Sequence, residues 1–329
     1  MHTLSFAAGA FPILLAQLAW EPDIVWVVEP PLACAPTAAL IAFLSGAASC
    51  LHVQDFEVDA AFELGLLKGD RARSWAQRLE RWLMRRFRIV STISGKMTER
   101  LGNKGLPEDR IRLLPNWVDI SVFDGITAQS VSALRDKLSI PDGAKVVLYS
   151  GNMGRKQGLE ILANVAGNPA VHHLAGGDLC FVFCGNGVGR KELEDACVGF
   201  SNVRFCDLLP AAEFPALLKL ADIHLLPQLA QASDLVMPSK LTGILASGRP
   251  VVATASPGSE LAEVAAVGGI VVPPGDHEAM ASAVANLAGN DELRLALGKS
   301  GHDYAIVHLD RDHVLSALES DFRRLIAGQ

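Results

Sequence analysis

An excess of positive charge is the first thing missing from this 329-residue chain. Lys and Arg number 29 against 36 Asp and Glu, a balance of -7, whereas binding a phosphate backbone needs a cationic surface. A general nucleic-acid binder is excluded. Paired ligating cysteines are missing too. Cys34, Cys50, Cys180, Cys184, Cys197 and Cys206 form no C-x-x-C, and no histidine cluster completes a zinc spacing. Cys180 and Cys184 lie inside LCFVFCG, where a thiol reads as a small core side chain, and the cysteine usage is that of a reducing cytosol. G-x-S-x-G, H-E-x-x-H and a Walker loop are absent, so hydrolase and P-loop chemistries lack their required parts. Charged residues make up only 20% and apolar residues 50%, which excludes a disordered chain and opens the question of membranes.

The apolar N-terminus lacks a basic flank and is interrupted by Pro12, so it is a poor signal peptide. No Asp, Glu, Lys or Arg occurs between Glu29 and Asp55. That stretch carries Pro30, Pro31 and Pro36, is rich in Ala, and follows DIVWVVE, a bulky strand suited to burial on both faces. It reads as a covered helix rather than a membrane span. Arg71 to Arg88 is different. A helical wheel gathers Trp75, Leu79, Trp82, Leu83 and Phe87 on one side and Arg71, Arg78, Arg81, Arg85 and Arg88 on the other. Such a helix suits an anionic headgroup zone, or packs on a sheet with its basic face solvated.

What is present is strand, loop and helix in alternation, the pattern of α/β architecture. DIVWVVEPP, SCLHVQDFEVD, RIVSTIS and RIRLLPNWVD mark a first series, and residues 120–142, with Gly125, Pro141 and Gly143, read as a linker. A second series of about six strands starts at KVVLYSGNMG. The boundaries expected are 1–125 for a first, incomplete domain, 126–305 for a second, and 306–329 for a terminal helix returning to the first.

Two glycine loops follow strands directly, Gly151-Asn152-Met153-Gly154 and Gly185-Asn186-Gly187. Glycine lets backbone amides approach a phosphate, and open α/β sheets bind ligands beyond the carboxyl ends of their strands. Met237-Pro238-Ser239-Lys240 opens a helix whose first amides lack internal partners, and Lys240 adds a full charge. Together they point to a nucleotide diphosphate. Asp310-Arg311-Asp312 reads as a helix cap rather than a metal site, and His172 and His173 as solvated turn residues.

LPNWVD, LYSGNMGRKQGLEIL, FCGNGVGRKELE, ADIHLLPQ, DLVMPSKLTGILASGRPVVATASPGSE and GIVVPPGD strongly resemble the retaining glycosyltransferases of family 4. LHVQDFEVDAAFELGLLKG and VMPSKLTG resemble its colanic-acid-type branch. The likeness runs from about residue 3 to the end. It implies a GT-B fold, two Rossmann-like domains facing a cleft, with the second holding a UDP- or GDP-sugar and no metal or other cofactor required. It also implies a polyprenyl-diphosphate-linked saccharide as acceptor, in exopolysaccharide or envelope polysaccharide synthesis, and a cytoplasmic enzyme peripheral to the inner face of the plasma membrane.

By the same resemblance, Gly151, Asn152, Gly154, Arg155 and Lys156 form the diphosphate loop. Asn152 stands where the family carries arginine and Gln157 where it carries lysine, so neutralisation leans on Lys156, Lys240 and amides near Ser239. Gly185 belongs to the donor-binding set through the second glycine loop, base selection depends on contacts near Asn186, Leu208 and Leu209 that no motif fixes, and Pro238 precedes the helix start. The family's two glutamates would fall at Leu235 and Gly243; Asp234 is the substitute near the sugar. His52-Val53-Gln54-Asp55 aligns with the segment facing the donor sugar, giving His52 and Asp55 roles in stabilising the oxocarbenium ion or orienting the acceptor. Roughly the first 70–80 residues of the family pattern have no counterpart, judged from usual domain size. A donor-binding relative without catalysis and a GT-B sugar-nucleotide epimerase are the alternatives.

Overall fold

The computed structural model describes residues 2–63, 69–154, 157–169, 171, 178–229 and 237–328. Contacts divide the chain into two units. The first gathers residues 1–115, 234–237 and 313–329, and the second 116–233 and 238–312. The sequence placed the first division at residue 125 and the returning helix at 306.

The first unit contains a parallel sheet in simple consecutive order, β1 (Ile24–Glu29), β2 (Ala48–Val53), β3 (Ile89–Thr92) and β4 (Ile111–Leu113). Every residue of β2 and β3 is buried, as the β-branched, apolar runs require of strands covered on both faces. The helices of this unit are α1 (His2–Ala16), α2 (Ala35–Ser45), α3 (Glu57–Glu63), α4 (Asp70–Met84) and α5 (Gly95–Asn103). The segment expected to be a covered helix is covered on one face only. Ala35, Ala38, Ile41 and Ala42 of α2 are buried, while Leu40, Phe43 and Leu44 are exposed.

Helix α4 also departs from the wheel. Leu83, Met84 and, beyond the helix, Phe87 enter the core, whereas Trp75, Leu79 and Trp82 face outward. The reason is ionic. Glu80 is fully buried, and Lys104 Nζ donates to Glu80 Oε2 at 2.5 Å and lies 2.8 Å from Asp59 Oδ2. Arg100 Nε reaches Asp59 Oδ2 at 3.2 Å, and Gln77 Nε2 donates to Asp59 Oδ1 at 3.1 Å. A buried carboxylate is tolerated only when paired, so this cluster turns the Glu80 side of α4 inward and leaves the tryptophans outside.

The second unit begins before its sheet. The stretch expected as a linker is ordered helix, α6 (Ala128–Lys137), started by a reciprocal cap in which Thr127 and Ser130 bond each other's backbone N–H. Gly125 lies before this helix and Pro141 and Gly143 after it. The sheet runs β10 (Gly269–Val272), β9 (Val251–Thr254), β8 (Ile223–Leu226), β5 (Lys145–Ser150), β6 (Leu179–Cys184), β7 (Val203–Cys206), all parallel. The order reverses direction between β5 and β8, which makes a switch point where crevices open beyond the strand ends. The remaining helices are α7 (Glu160–Ala166), α8 (Arg190–Ala196), α9 (Phe214–Leu220), α10 (Lys240–Ala246), α11 (Glu260–Val267), α12 (His277–Gly289) and α13 (Asp291–His308). Then comes α14 (Arg311–Ala327), whose residues from His313 belong to the first unit. Asp310 Oδ1 accepts from Asp312 N at the start of α14, as a cap does. There Phe322 meets the Trp26 ring edge-on at 5.7 Å, and Arg88 Nη2 donates to Gly328 O at 2.9 Å. His172 and His173 lie outside the described residues.

Candidate functional site

The chemistry of the second unit gathers at the carboxyl ends of β5, β6 and β7. Gly151 closes β5, and its N–H donates to Cys184 O at 2.8 Å; Met153 N donates to Asn186 O at 2.9 Å. The two glycine loops are thus laced together. Both glycines are dictated by close approach. Gly151 has φ +118, and a Cβ there would meet Lys240 Cε at 2.6 Å; Gly185 has φ +151, and a Cβ would meet Gly151 O at 1.9 Å.

Lys240, the first residue of α10, reaches back over the Gly151 loop. Its Nζ donates to Tyr149 Oη at 2.8 Å and lies 4.2 Å from the Tyr149 ring centroid. Tyr149 Oη in turn donates to Asn152 O at 2.7 Å. Burial pulls the ammonium down to about 8 and pushes the phenol up, so near neutrality the pair is a cation held by a neutral hydroxyl. A desolvated ammonium beside a glycine loop is equipment for an anion that brings its own charge.

Around the second loop, Arg190 Nη1 donates to Gly185 O at 2.9 Å and Asn186 Oδ1 at 2.6 Å, and also to Asp207 Oδ1. Its Nε pairs with Glu194 Oε1 at 2.8 Å. This guanidinium ties the Gly185 loop to the segment after β7, where Leu208 is exposed and Leu209 half-buried. Pro238 is half-buried and Ser239 exposed, and the Ser239 side chain makes no cap hydrogen bond. Gly243 leaves only a narrow space, since a Cβ there would lie 3.2 Å from Leu218 Cδ1.

In the first unit, His52 stands on β2 opposite Val28 of β1 and Ser91 of β3. It is 2% exposed, its Nδ1 is 2.9 Å from Ser91 Oγ, and the Trp26 ring meets it edge-on at 5.9 Å. Burial lowers it to about 4, so the ring is neutral at ordinary pH. Asp55 follows in the bend after β2 and is half-buried. Glu57 Oε2 accepts from Leu32 N at 2.6 Å, tying the start of α3 to the turn after β1.

The structure therefore brings Gly151, Asn152, Gly154, Gly185, Asn186 and Lys240 into one neighbourhood of the second unit, and His52 and Asp55 into one end of the first unit's sheet. Arg155, Lys156, Asp234 and Leu235 lie outside the described residues. Sequence reasoning missed Tyr149, Arg190 and Ser91. Tyr149 did carry a signal, being one of only two tyrosines in the chain and placed in an otherwise apolar strand.

A doubly wound sheet with laced glycine loops and a half-buried lysine near its switch point, preceded in the chain by a second parallel sheet, is α/β architecture of GT-B type. Residues 144–290 match the family model described as Glycosyl transferases group 1, and residues 2–117 that described as Glycosyl transferase 4-like domain. The chain is 38% identical over 336 residues to the putative colanic acid biosynthesis glycosyl transferase WcaI of Escherichia coli (strain K12), covering 98% of this chain and 79% of that protein. Among solved structures, a glycosyltransferase from Rickettsia africae matches with a TM-score of 0.76 at 15% identity, over 97% of this chain and 81% of that one. Anabaena Alr3699/HepE in complex with UDP and glucose matches with a TM-score of 0.74 at 16% identity, over 95% and 82%. The chain belongs to the family 4, or group 1, glycosyltransferases of GT-B fold.

Proposed function

We propose that this chain transfers a sugar, with retention and without a metal, from a UDP- or GDP-sugar to a lipid-linked saccharide in exopolysaccharide synthesis of the colanic-acid type. The observation that carries the reading is the Lys240 ammonium held over the Gly151 loop by Tyr149. As the bond from sugar C1 to the diphosphate breaks, negative charge grows on the departing phosphate oxygens. Lys240 is preorganised to receive it, and Lys156 and the amides near Ser239 are assigned to the same task. The acceptor oxygen attacks C1 on the face the diphosphate leaves, and the acceptor proton passes to a departing phosphate oxygen. No protein nucleophile is required. Asn186, Leu208 and Leu209 face the base. His52, neutral, and Asp55 are assigned to stabilising the developing oxocarbenium ion or orienting the acceptor hydroxyl, and Asp234 to the carboxylate near the sugar.

The name of the Escherichia coli relative supports a colanic-acid-type polysaccharide, and the bound UDP of the Anabaena structure supports a nucleotide-sugar donor. The lipid acceptor is supported by α4, where Trp75 is 74% and Trp82 53% exposed and Arg86 lies 4.5 Å above the Trp82 ring. Such a face suits the anionic surface of a membrane from the cytoplasmic side. No helix among the described residues is long and apolar enough to cross a membrane.

The test is sugar transfer to polyprenyl-diphosphate-linked acceptors across a panel of UDP- and GDP-sugars. No transfer across the panel overturns the reading. Gly243, where the family carries a glutamate, favours a second reading, a donor-binding protein without catalysis, and nucleotide binding without turnover would establish it. Conversion of a free nucleotide sugar without acceptor would mark an epimerase.

A further inference from the structure

Cys184 ends β6 and Cys206 ends β7, and the two are direct partners in the parallel register. Neighbouring strands lie about 4.8 Å apart, inside the span of about 4.4–6.8 Å between Cα atoms that a disulfide bridges. Partners in register project to the same face of a sheet. Each thiol acts on the other, which holds Cys206 up and Cys184 down from the usual thiol range. Cys184 Sγ also donates to Asp207 O at 3.2 Å, the residue before Leu208 and Leu209. The backbone of the same two cysteines anchors the glycine loops, since Gly151 N donates to Cys184 O and Gly185 N to Cys206 O at 2.9 Å. Cys184 is fully buried, while Cys206 is half-buried.

We propose that Cys184 and Cys206 form a dithiol that closes to a disulfide in the presence of a small-molecule disulfide and thereby weakens the donor site. Cys206, the more accessible sulfur, attacks the small disulfide after a solvent base removes its proton, a step that its raised pKa makes slow near neutrality and faster in alkali. A Cys206–thiol mixed disulfide forms, the small S–S bond breaks, and the departing thiolate takes up the proton from the protonated base. Cys184 Sγ then attacks the Cys206 sulfur. The Cys184–Cys206 bond forms, the second small thiol leaves with the Cys184 proton, and the two electrons lost by the cysteines have reduced the oxidant. Once bridged, Cys184 has no S–H for Asp207 O, and the segment carrying Leu208 and Leu209 loses its tether. The effect on donor binding rests on the donor reading above; the disulfide itself does not.

The experiment treats the full chain with oxidised glutathione, maps cysteine peptides by mass, and measures UDP and GDP binding before oxidation, after it, and after reduction by dithiothreitol. Expected are a loss of two hydrogens located to a Cys184–Cys206 link and binding weakened about three- to tenfold, the scale of one hydrogen bond. Dithiothreitol restores the affinity, and Cys206→Ser, or Cys184→Ser if that variant fails to fold, binds without responding to oxidant. A stable mixed disulfide at Cys206 without closure overturns the proposal. So does a Cys184–Cys206 link that leaves binding unchanged. If the reduced chain binds no nucleotide, the donor reading and the coupling fall, while the mass map still decides whether the disulfide forms.

Discussion

Lys240 and Tyr149, ninety-one residues apart, form one unit: the ammonium donates to the phenol oxygen at 2.8 Å and lies 4.2 Å from the ring centroid. Tyr149→Phe keeps the ring and removes the hydroxyl. The expected result is a loss of about 0.5–1.5 kcal/mol in nucleotide-diphosphate affinity, the net scale of one hydrogen bond, with nucleoside binding unchanged. Calorimetry with UDP, GDP and the corresponding nucleosides checks it. Equal loss for diphosphate and nucleoside would mean that Tyr149 supports the base side or the fold instead.

Burial holds Lys240 near 8, below the ordinary lysine value of 10.5. A diphosphate favours the charged form, so binding takes up a proton once the free lysine has begun to lose its own. Affinity should be flat below about pH 7 and fall as pH rises through about 8. For folding, the unfolded chain binds more protons than the folded one between about 8 and 10.5, so this group makes stability rise across that window. Titrations in two buffers of different ionisation enthalpy would show proton uptake at pH 8.5 and little at pH 6.5.

Glu29, at the end of β1, is fully buried, and among the described residues neither carboxylate oxygen has a hydrogen-bond partner of ordinary geometry. Burial first, then the charges of Glu80 and Glu57, hold it well above the usual carboxylate range, with Lys104 opposing. The folded chain keeps a proton that the unfolded chain releases above about 4.5, so stability falls as pH climbs from there. Glu29→Gln should raise the melting temperature more at pH 8 than at pH 5. An equal gain at both, or a loss confined to pH 8, contradicts the protonated state.

Trp75 and Trp82 are outward residues of α4, so replacing both with Ala should leave the melting temperature nearly unchanged. Co-sedimentation with vesicles containing phosphatidylglycerol should weaken about tenfold or more, because two interfacial aromatic anchors are lost. Full retention of vesicle binding would move the contact elsewhere.

The parts of the site legible in the sequence were those whose backbone needs are written in residue type. Gly151 and Gly185 admit no side chain where two loops touch, and Lys240 stands at the opening of its helix. Tyr149 was hidden because a tyrosine in KVVLYS satisfies the core and the site at once; its ring is buried while its hydroxyl serves Lys240. Arg190 was hidden because its partners, Asn186 and Asp207, meet only when β6 and β7 pair. The orientation of α4 was left open for a related reason. A wheel ranks Trp above Glu for burial, yet Lys104 and Asp59, distant in sequence, make Glu80 the inward residue. The helix inside 120–142 was not read because its cap, Thr127 with Ser130, lacks the acidic residue usual in that box.

The central claim is that the second unit holds a nucleotide diphosphate through Lys240. It is tested most directly by calorimetry of UDP, GDP and their sugars against this chain and Lys240→Ala. The account predicts selective micromolar binding to one base, weakened about 10- to 150-fold in the variant, the scale of a charge-assisted hydrogen bond. Absence of binding to any nucleotide, or binding indifferent to Lys240→Ala, would contradict it.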